Sequence, residues 1–493
     1  MNNPENNPLG ALFLNSCDKF SSRVAIRAQN IDVPYAQLGA AVTHLASILH
    51  GLDIGRGALV GMHIGKDDIK SRVAVLALTL IGARWIEYGE YLNGHDSIQL
   101  THLLHDDGQR PPERFSIHID KVWPGISTAS PVSEASEFSG FESREDTWVL
   151  PSSSGTTGAR KTMAVSGGAF FERIVRLAEY DNDAGDFSAA DLFLPYSVPS
   201  WLHFLHTVCL GGMYVLNYSY TYLLAQNVQL IVGSPHQLAE LLQGVSPPDE
   251  PALQEVRVIG GALIPDFLSR LLRYFRVVRA SYGSTETGPV STTLFYEPAS
   301  EPSLGRSYPD VEVEIVDEHD VACPREIEGI VRIRTSSQVQ GGYIGQAEAT
   351  AQAFRDGWFY PGDSGRLSAD GEFHATEWIQ GVYNFAGTKF NIAEMDSILQ
   401  AGEAVQDALC FTELDEFGVE TLAALIVLGP GADRKPAVKT LVRALLAAEY
   451  PLPLLPRNIY QVDAIPRNPN GKAMRHEAAA LVAKLKPIAQ VEV

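Results

Sequence analysis

The chain has 493 residues, 45% hydrophobic and 20% charged, with a formal net charge of −21, enough for a large core and roughly two to four domains. The acidic balance excludes a nucleic-acid or anionic-membrane partner, which would call for a basic face. Cys17, Cys209, Cys323 and Cys410 lie far apart without CxxC spacing, no apolar run reaches the ~18 residues of a membrane span, and Met1 to Pro8 is polar; no zinc site, disulfide framework, span or signal peptide is expected, and a reducing cytoplasm fits.

Apolar strand-like runs alternate with helix-like stretches through the first three-quarters of the chain. Ala58 to Ile64 reads as a strand, Ile69 to Ile81 as a helix and Trp85 to Tyr88 as a strand. Pro111 to Glu145, rich in Pro, Ser and acidic residues, reads as an irregular excursion. Thr147 to Leu150 is strand-like, as is Val228 to Val232, and Ser234 opens a helix over Pro235 to Leu242. This rhythm predicts an α/β fold with mixed and parallel sheets covered by helices. A second unit begins after about Thr376, runs through Ala404 to Leu428 and an amphipathic stretch at Pro436 to Glu449, and ends near Lys472.

After the strand at 147–150 comes Pro151-Ser152-Ser153-Ser154-Gly155-Thr156-Thr157-Gly158-Ala159-Arg160-Lys161. Its glycines let backbone N–H groups turn toward an anion, its hydroxyls add donors and its lysine adds charge, a composition suited to phosphates. It lacks the Walker spacing, and similar loops occur on ordinary surfaces. Three further segments follow in order: Ser281-Tyr282-Gly283-Ser284-Thr285-Glu286-Thr287-Gly288, Gly357 to Asp363, and Pro466 to Lys472. Taken singly they have plain readings. Thr285-Glu286 would cap a helix, Asp363 would sit in a turn, and Asn470-Gly471-Lys472 would be a solvated turn.

Together, in this order, the four segments resemble the signature set of the adenylate-forming superfamily, which includes acyl-CoA synthetases, nonribosomal peptide synthetase adenylation domains and firefly luciferase. Val33-Pro34-Tyr35-Ala36-Gln37-Leu38, Ile81-Gly82-Ala83 and Ser303-Leu304-Gly305-Arg306, followed by Val311 to Asp317, extend the resemblance over nearly the whole chain. It implies a large N-terminal domain (1–376), a hinge (377–381) and a small mobile α+β C-terminal domain (382–493). It also implies ATP and Mg²⁺ as cofactors: a carboxylate attacks the α-phosphate, giving acyl-AMP and pyrophosphate.

By resemblance, Ser153, Ser154, Gly155, Thr156, Thr157, Gly158 and Lys161 cradle the β- and γ-phosphates. Thr285 contacts phosphate and Glu286 is the Mg²⁺ ligand, a hard oxygen for a hard ion. Tyr282, followed by Gly283, stacks on adenine, with Gly260, Gly261 and Ala262 along its other face. Asp363 accepts from the ribose hydroxyls, and Lys472 is the lysine that swings in from the small domain to bridge carboxylate and α-phosphate. The acid's pocket is expected at Leu194 to Trp201, with Tyr196, Trp201 and His203 as candidate lining, joined by Phe204, His206 and Met213. No acidic residue occurs from Leu192 to Gln226, where amino-acid-activating relatives place the aspartate that pairs with the substrate ammonium. An aryl, cyclic or medium apolar acid without an α-amino group is therefore expected.

The chain departs from the family pattern at the hinge. Aligned on Gly387, Trp378 stands in place of a nucleotide-contacting arginine, Gln380 in place of the hinge aspartate and Asn384 in place of a lysine. Arg366 and Lys389 are the nearby candidates to supply the missing charge. Three functions follow. The first is a free-standing amide synthetase, somewhat like coronafacate ligase, with an amine such as an amino acid as acceptor. The second is an acid:thiol ligase using CoA or a carrier protein acting in trans. The third is a nucleotide-binding homologue without activity.

Overall fold

A computed structural model describes residues 4–490, apart from 30, 66–67, 90–97, 107–114, 127–137, 139, 154–160, 181–186, 218, 261–262, 264, 379–381, 386–387, 403, 415–419, 448–454 and 469–470. The α/β rhythm becomes several sheets joined by helices. A nine-stranded sheet runs in the order Arg306–Ser307, Gly288–Phe295, Phe275–Ser284, Leu253–Val258, Leu230–Gly233, Ser188–Asp191, Met213–Leu216, Val24–Ala28 and Ile31–Pro34. Its six central strands are parallel and its outer pairs antiparallel. Leu230–Gly233 is buried on both faces, as a central parallel strand covered by helices must be.

A second, six-stranded sheet has the order Val165–Ser166, Thr147–Val149, Arg84–Glu87, Leu59–His63, His102–His105 and Ser116–His118. The expected strand–helix–strand at 58–88 is present as Leu59–His63, Asp68–Leu80 and Arg84–Glu87, with the two strands parallel. The stretch Pro111 to Glu145 is not wholly irregular. Ser116–His118 adds an edge strand parallel to His102–His105, and Ile119–Val122 is a single helical turn. Three-residue strands leave too short a pattern to detect in sequence. A third, antiparallel sheet contains Val311–Val316, Gly329–Thr335, Asp363–Leu367 and Phe373–Trp378.

Beyond residue 391, helices flank a sheet of Val405–Leu414, Glu420–Leu428, Asn458–Gln461 and Ala489–Gln490. Two hydrophobic clusters, one on each face of it, are built from residues 392–489 alone. The amphipathic stretch expected near 436–449 is the helix Arg434–Ala447, which buries Ala437, Leu441 and Leu445. Of the expected hinge, Glu377 and Trp378 end a strand and 379–381 lie outside the described residues. Among the described residues no helix is long and apolar enough to cross a membrane.

The helix expected from Ser234 is Pro235–Leu241, with proline in its first turn. Ser234 and Gln237 form a reciprocal capping box: the Gln237 N–H donates to Ser234 Oγ at 3.3 Å and the Ser234 N–H to Gln237 Oε1 at 3.0 Å. Replacing Ser234 by alanine should lower stability by about 1 kcal/mol in urea unfolding, with an unchanged slope.

Candidate functional site

Lys161 stands where the Ser/Thr/Gly loop returns to the core. Ser152–Ser153 and Lys161–Thr162 pair antiparallel, and the hydroxyls of Ser152 and Thr162 are 2.8 Å apart. The two ends of the loop are therefore paired in a short ladder that follows the strand Thr147–Val149. Residues 154–160 lie outside the described residues, so Ser154, Gly155, Thr156, Thr157 and Gly158 have no position here. The segment leaving the loop is held from the other side. Met163 bridges Tyr343, and the Ile344 N–H donates to the Thr162 carbonyl at 2.8 Å.

The Tyr282 segment is a β-hairpin, not a helix start. Phe275–Ser284 and Gly288–Phe295 pair antiparallel, and Thr285, Glu286 and Thr287 make the reversal. Gly288 takes a φ of 73°, and a Cβ there would lie 2.6 Å from the Arg173 side chain. A helix cap is the common setting for Thr-Glu, but two flanking strand-forming runs override it. The parallel register of Val258 with Ala280 carries Gly260 and Tyr282 to the same sheet end, the end that binds ligands in open α/β sheets. Gly261 and Ala262 lie outside the described residues.

Tyr282 and Asp363 meet: the phenol donates to Asp363 Oδ2, and the Tyr282 ring stands edge-on to Phe373 with centroids 5.0 Å apart. Asp363 is 7% exposed, and its other oxygen, Oδ1, is buried with no hydrogen-bond partner. Burial raises its pKa, opposed by the Tyr282 hydrogen bond and the charge of Lys472, while Glu286 adds to the rise. An orphaned, buried carboxylate oxygen is a standing acceptor for a donor brought by a ligand.

Glu286 is 6% exposed, and Oε1 accepts from the Tyr343 hydroxyl at 2.9 Å. Its main chain is held by Arg173, which donates to the carbonyls of Glu286 (3.2 Å) and Ser337 (2.9 Å). One helical turn on, Arg176 grips Asp310 with two donors at 2.9 and 2.5 Å and reaches the Pro289 carbonyl at 2.7 Å. Sequence reasoning missed Arg173, Arg176 and Tyr343. The available signals were two arginines three apart in an apolar helix and a double glycine before an aromatic, Gly341-Gly342-Tyr343.

Lys472 arrives from the C-terminal unit on a clamped turn. Its N–H donates to Asn468 Oδ1 at 2.8 Å, and Arg467 ties the Gly471 carbonyl (2.9 Å) to both oxygens of Asp407 (2.8 and 2.7 Å). Burial lowers the Lys472 pKa to about 8. Asp363 and Glu286 oppose the fall, while Arg475 and Lys161 add to it. Lys472 thus feels three of the groups named from the other motifs.

One sequence expectation needs correction. Arg366 is not free to replace the arginine missing at Trp378, because its guanidinium is bound by Glu301 and, at 3.1 Å, by Glu326. The side chains of Trp378 and Lys389 lie outside the described residues. Trp201 and His203 are buried, 1% and 2% exposed. Trp201 packs against Trp85, Trp148 and Phe204 with centroids 5.8, 6.0 and 5.4 Å away, and under the Arg72 guanidinium at 4.7 Å. Phe204 and His206 are buried too. Helix-spaced aromatics find the core more often than a pocket. Of the named trio only Tyr196 is half-buried; its hydroxyl exchanges hydrogen bonds with the backbone of Ile64 at 3.0 and 3.2 Å. Asp191, which precedes this segment in sequence, is buried and occupied by Ser200 (3.1 Å), Tyr214 and the Phe193 N–H (2.9 Å), beside Arg72.

The chain matches the AMP-binding enzyme family over residues 93–344, just over half of its length. It is 24% identical to 4-coumarate–CoA ligase 4 of Arabidopsis thaliana over 364 residues, 69% of this chain and 62% of that relative, so the match spans less than two thirds of the relative's length. Among solved structures, the o-succinylbenzoate coenzyme A synthetase MenE of Bacillus subtilis with AMP superposes with a TM-score of 0.80 at 20% identity, covering 98% of this chain and 99% of that one. The amide bond synthetase McbA of Marinactinospora thermotolerans superposes with a TM-score of 0.75 at 21% identity, covering 96% and 99%. These likenesses establish the fold: a large N-terminal α/β domain with a C-terminal domain.

The electrostatic meeting at Lys472 is testable without substrate. After ¹³C-dimethylation, the signal assigned by its loss in Lys472→Ala should titrate near pH 8 in NMR. Because Asp363 raises the lysine's pKa, Asp363→Asn should move that midpoint lower. Titration near the ordinary 10.5 in both proteins would mean that the charges do not converge.

Proposed function

The chain belongs to the AMP-binding enzyme family, and on that premise we propose that it is an ATP-dependent ligase that activates a carboxylic acid as acyl-AMP and passes the acyl group to an amine, forming an amide. The observation that carries the adenylation reading is the buried pair of Tyr282 and Asp363, whose Oδ1 is left without a partner, with the charge of Lys472 acting on Asp363 from the C-terminal unit. In that reaction a carboxylate oxygen attacks the α-phosphorus and the bond to pyrophosphate breaks. Two anions must approach, so the site needs cations and donors where charge builds up.

In this reading Asp363 Oδ1, the orphaned acceptor, takes a ribose hydroxyl, and Tyr282 beside it takes adenine together with Gly260 at the same sheet end. Lys161 and the loop it closes hold the β- and γ-phosphates, with Thr285 in the neighbouring hairpin reversal. Glu286 offers one hard carboxylate, the donor set of a Mg²⁺ ion that completes its shell with phosphate oxygens and waters. Mg²⁺, when bound, offsets charge on the departing pyrophosphate. Lys472 bridges the attacking carboxylate and the α-phosphate. We divide the chain for this purpose into a large domain at 1–376, a hinge at 377–381 and a small domain at 382–493 that delivers Lys472.

The acid lacks an α-amino group in this reading. Residues 192–226 contain no carboxylate, and Asp191 is buried and already accepts from Ser200, Tyr214 and a backbone N–H. An aryl or cyclic apolar acid suits that environment. The amide outcome is favoured by Trp378, Gln380 and Asn384, which alter the segment that turns inward for thiol transfer in the wider superfamily, and the likeness to McbA is in keeping with it. A thioester-forming alternative, with CoA or a carrier protein, is favoured by the 4-coumarate–CoA ligase relatives. An inactive homologue is disfavoured because Lys161, Thr285, Glu286, Asp363 and Lys472 are all retained.

Incubation with ATP, Mg²⁺ and a panel of aryl and cyclic acids, then with amino acids or CoA separately, tests the reading by product mass. An amide formed without CoA is expected. A thioester alone would select the alternative, and no acid-dependent pyrophosphate exchange would leave the inactive homologue. Lys472→Ala should slow acyl-AMP formation by roughly 10²–10³-fold, the scale of losing one charge-stabilising donor. Transfer from supplied acyl-AMP should stay within a few-fold, whereas an equal loss in both half-reactions would remove Lys472 from the adenylating role.

A further inference from the structure

We propose that Tyr343 is the positioning residue that ties the phosphate-loop lysine to the metal-binding carboxylate, so that Lys161 and Glu286 act on ATP and Mg²⁺ as one unit. The inference rests on the roles of those two residues given above. Tyr343 touches both: its hydroxyl donates to Glu286 Oε1 at 2.9 Å, and its ring lies under Lys161 Nζ, 5.0 Å from the centroid.

The placement of this ring is over-determined. The Tyr343 main chain bridges Met163, two residues after Lys161, and its N–H donates to Thr350 Oγ1 at 2.9 Å. The preceding Gly342 takes a φ of 69°, and a Cβ there would fall 2.2 Å from the Thr350 side chain. Behind the ring, Phe354 packs with centroids 5.4 Å apart. Tyr343 and Glu286 are 5% and 6% exposed, so their hydrogen bond operates in a dry setting where charge-assisted bonds are strong, while Lys161 sits half-buried over the ring. Burial and the Glu286 charge hold the phenol far above its ordinary pKa, so it remains a proton donor throughout the working range.

Two substitutions separate the two contacts. Tyr343→Phe keeps the ring under Lys161 and removes the hydroxyl; Tyr343→Leu removes both. The measurement is calorimetric ATP binding by the full chain across a series of Mg²⁺ concentrations, with thermal melting to confirm folding. For Tyr343→Phe, ATP affinity without Mg²⁺ should be unchanged, while the Mg²⁺ concentration that half-restores tight binding rises about tenfold or more, as when a hydrogen bond to a metal ligand is lost. For Tyr343→Leu, Mg²⁺-free affinity should also fall a few-fold. An unchanged Mg²⁺ midpoint in Tyr343→Phe, or an equal loss of affinity with and without Mg²⁺, overturns the proposal.

A readout needing no change at position 343 is the NMR signal of ¹³C-dimethylated Lys161, assigned by its loss in Lys161→Arg. It should be displaced upfield by the ring beneath it, and an undisplaced signal would also overturn the inference. These readouts need no turnover. A chain that binds MgATP in a Tyr343-dependent way yet activates no acid would end the ligase reading and leave this one standing; an active ligase indifferent to Tyr343 would do the reverse.

Discussion

A guanidinium that leaves water must find acceptors for its donors, and in this protein that requirement organises the site. Arg173 and Arg176, one turn apart on the helix Gly167–Tyr180, are 0% and 3% exposed. Their partners are the main-chain carbonyls of Glu286, Pro289 and Ser337, the hydroxyls of Thr335 and Ser337, and the carboxylate of Asp310. These acceptors belong to the hairpin of the nine-stranded sheet and to the end of a strand of the antiparallel sheet. The Glu286 carbonyl also accepts from the Val339 N–H at 2.8 Å, so Arg173 adds a second bond to a reversal already tied to the neighbouring segment. The carboxylate of Glu286 is aimed by its own backbone, and that backbone is held by Arg173.

The site therefore separates two electrostatic tasks. Arginines buried behind it do structural work, held by main-chain and side-chain acceptors of the protein. Lys161 and Lys472 face the interior of the site, and Lys472 sits there at a pKa depressed to about 8. Arg366, which sequence proximity made attractive, belongs with the structural set, held by two glutamates on the outside of the antiparallel sheet.

What was legible in the sequence follows from the range of each signal. The parallel strands and helices of the 58–88 region and the capped helix at Ser234 were readable because burial and capping write locally. Asp363 and Tyr282 could be named by resemblance, but their mutual hydrogen bond joins residues 81 apart, and no local pattern encodes such a pair. Thr285-Glu286 was ambiguous because the same two residues suit a cap or a turn; the flanking strands decided it. For Trp201 and His203 the sequence left pocket and core undivided, because an aromatic helix face looks the same whether it meets a ligand or, as Trp201 does, Trp85 and Trp148. Tyr343 was missed because its importance comes from two contacts with residues far off in sequence.

The turn that carries Lys472 draws its restraints from nearby residues of its own unit. Asn468, Arg467 and Asp407 fasten it, and beneath it Arg475 bonds Asp396 at 2.6 Å and the Cys410 carbonyl, joining the helices Ile392–Gln400 and Arg475–Val482 to the strand between them. The lysine's local geometry is thus a portable property, a preformed finger whose shape does not depend on the surface it reaches. Exchange of the C-terminal unit between homologues would transplant that finger intact, and any incompatibility would arise at the joint and the docking faces. For chimera building, that locates the variation worth sampling on the contact surface and leaves the lysine turn alone.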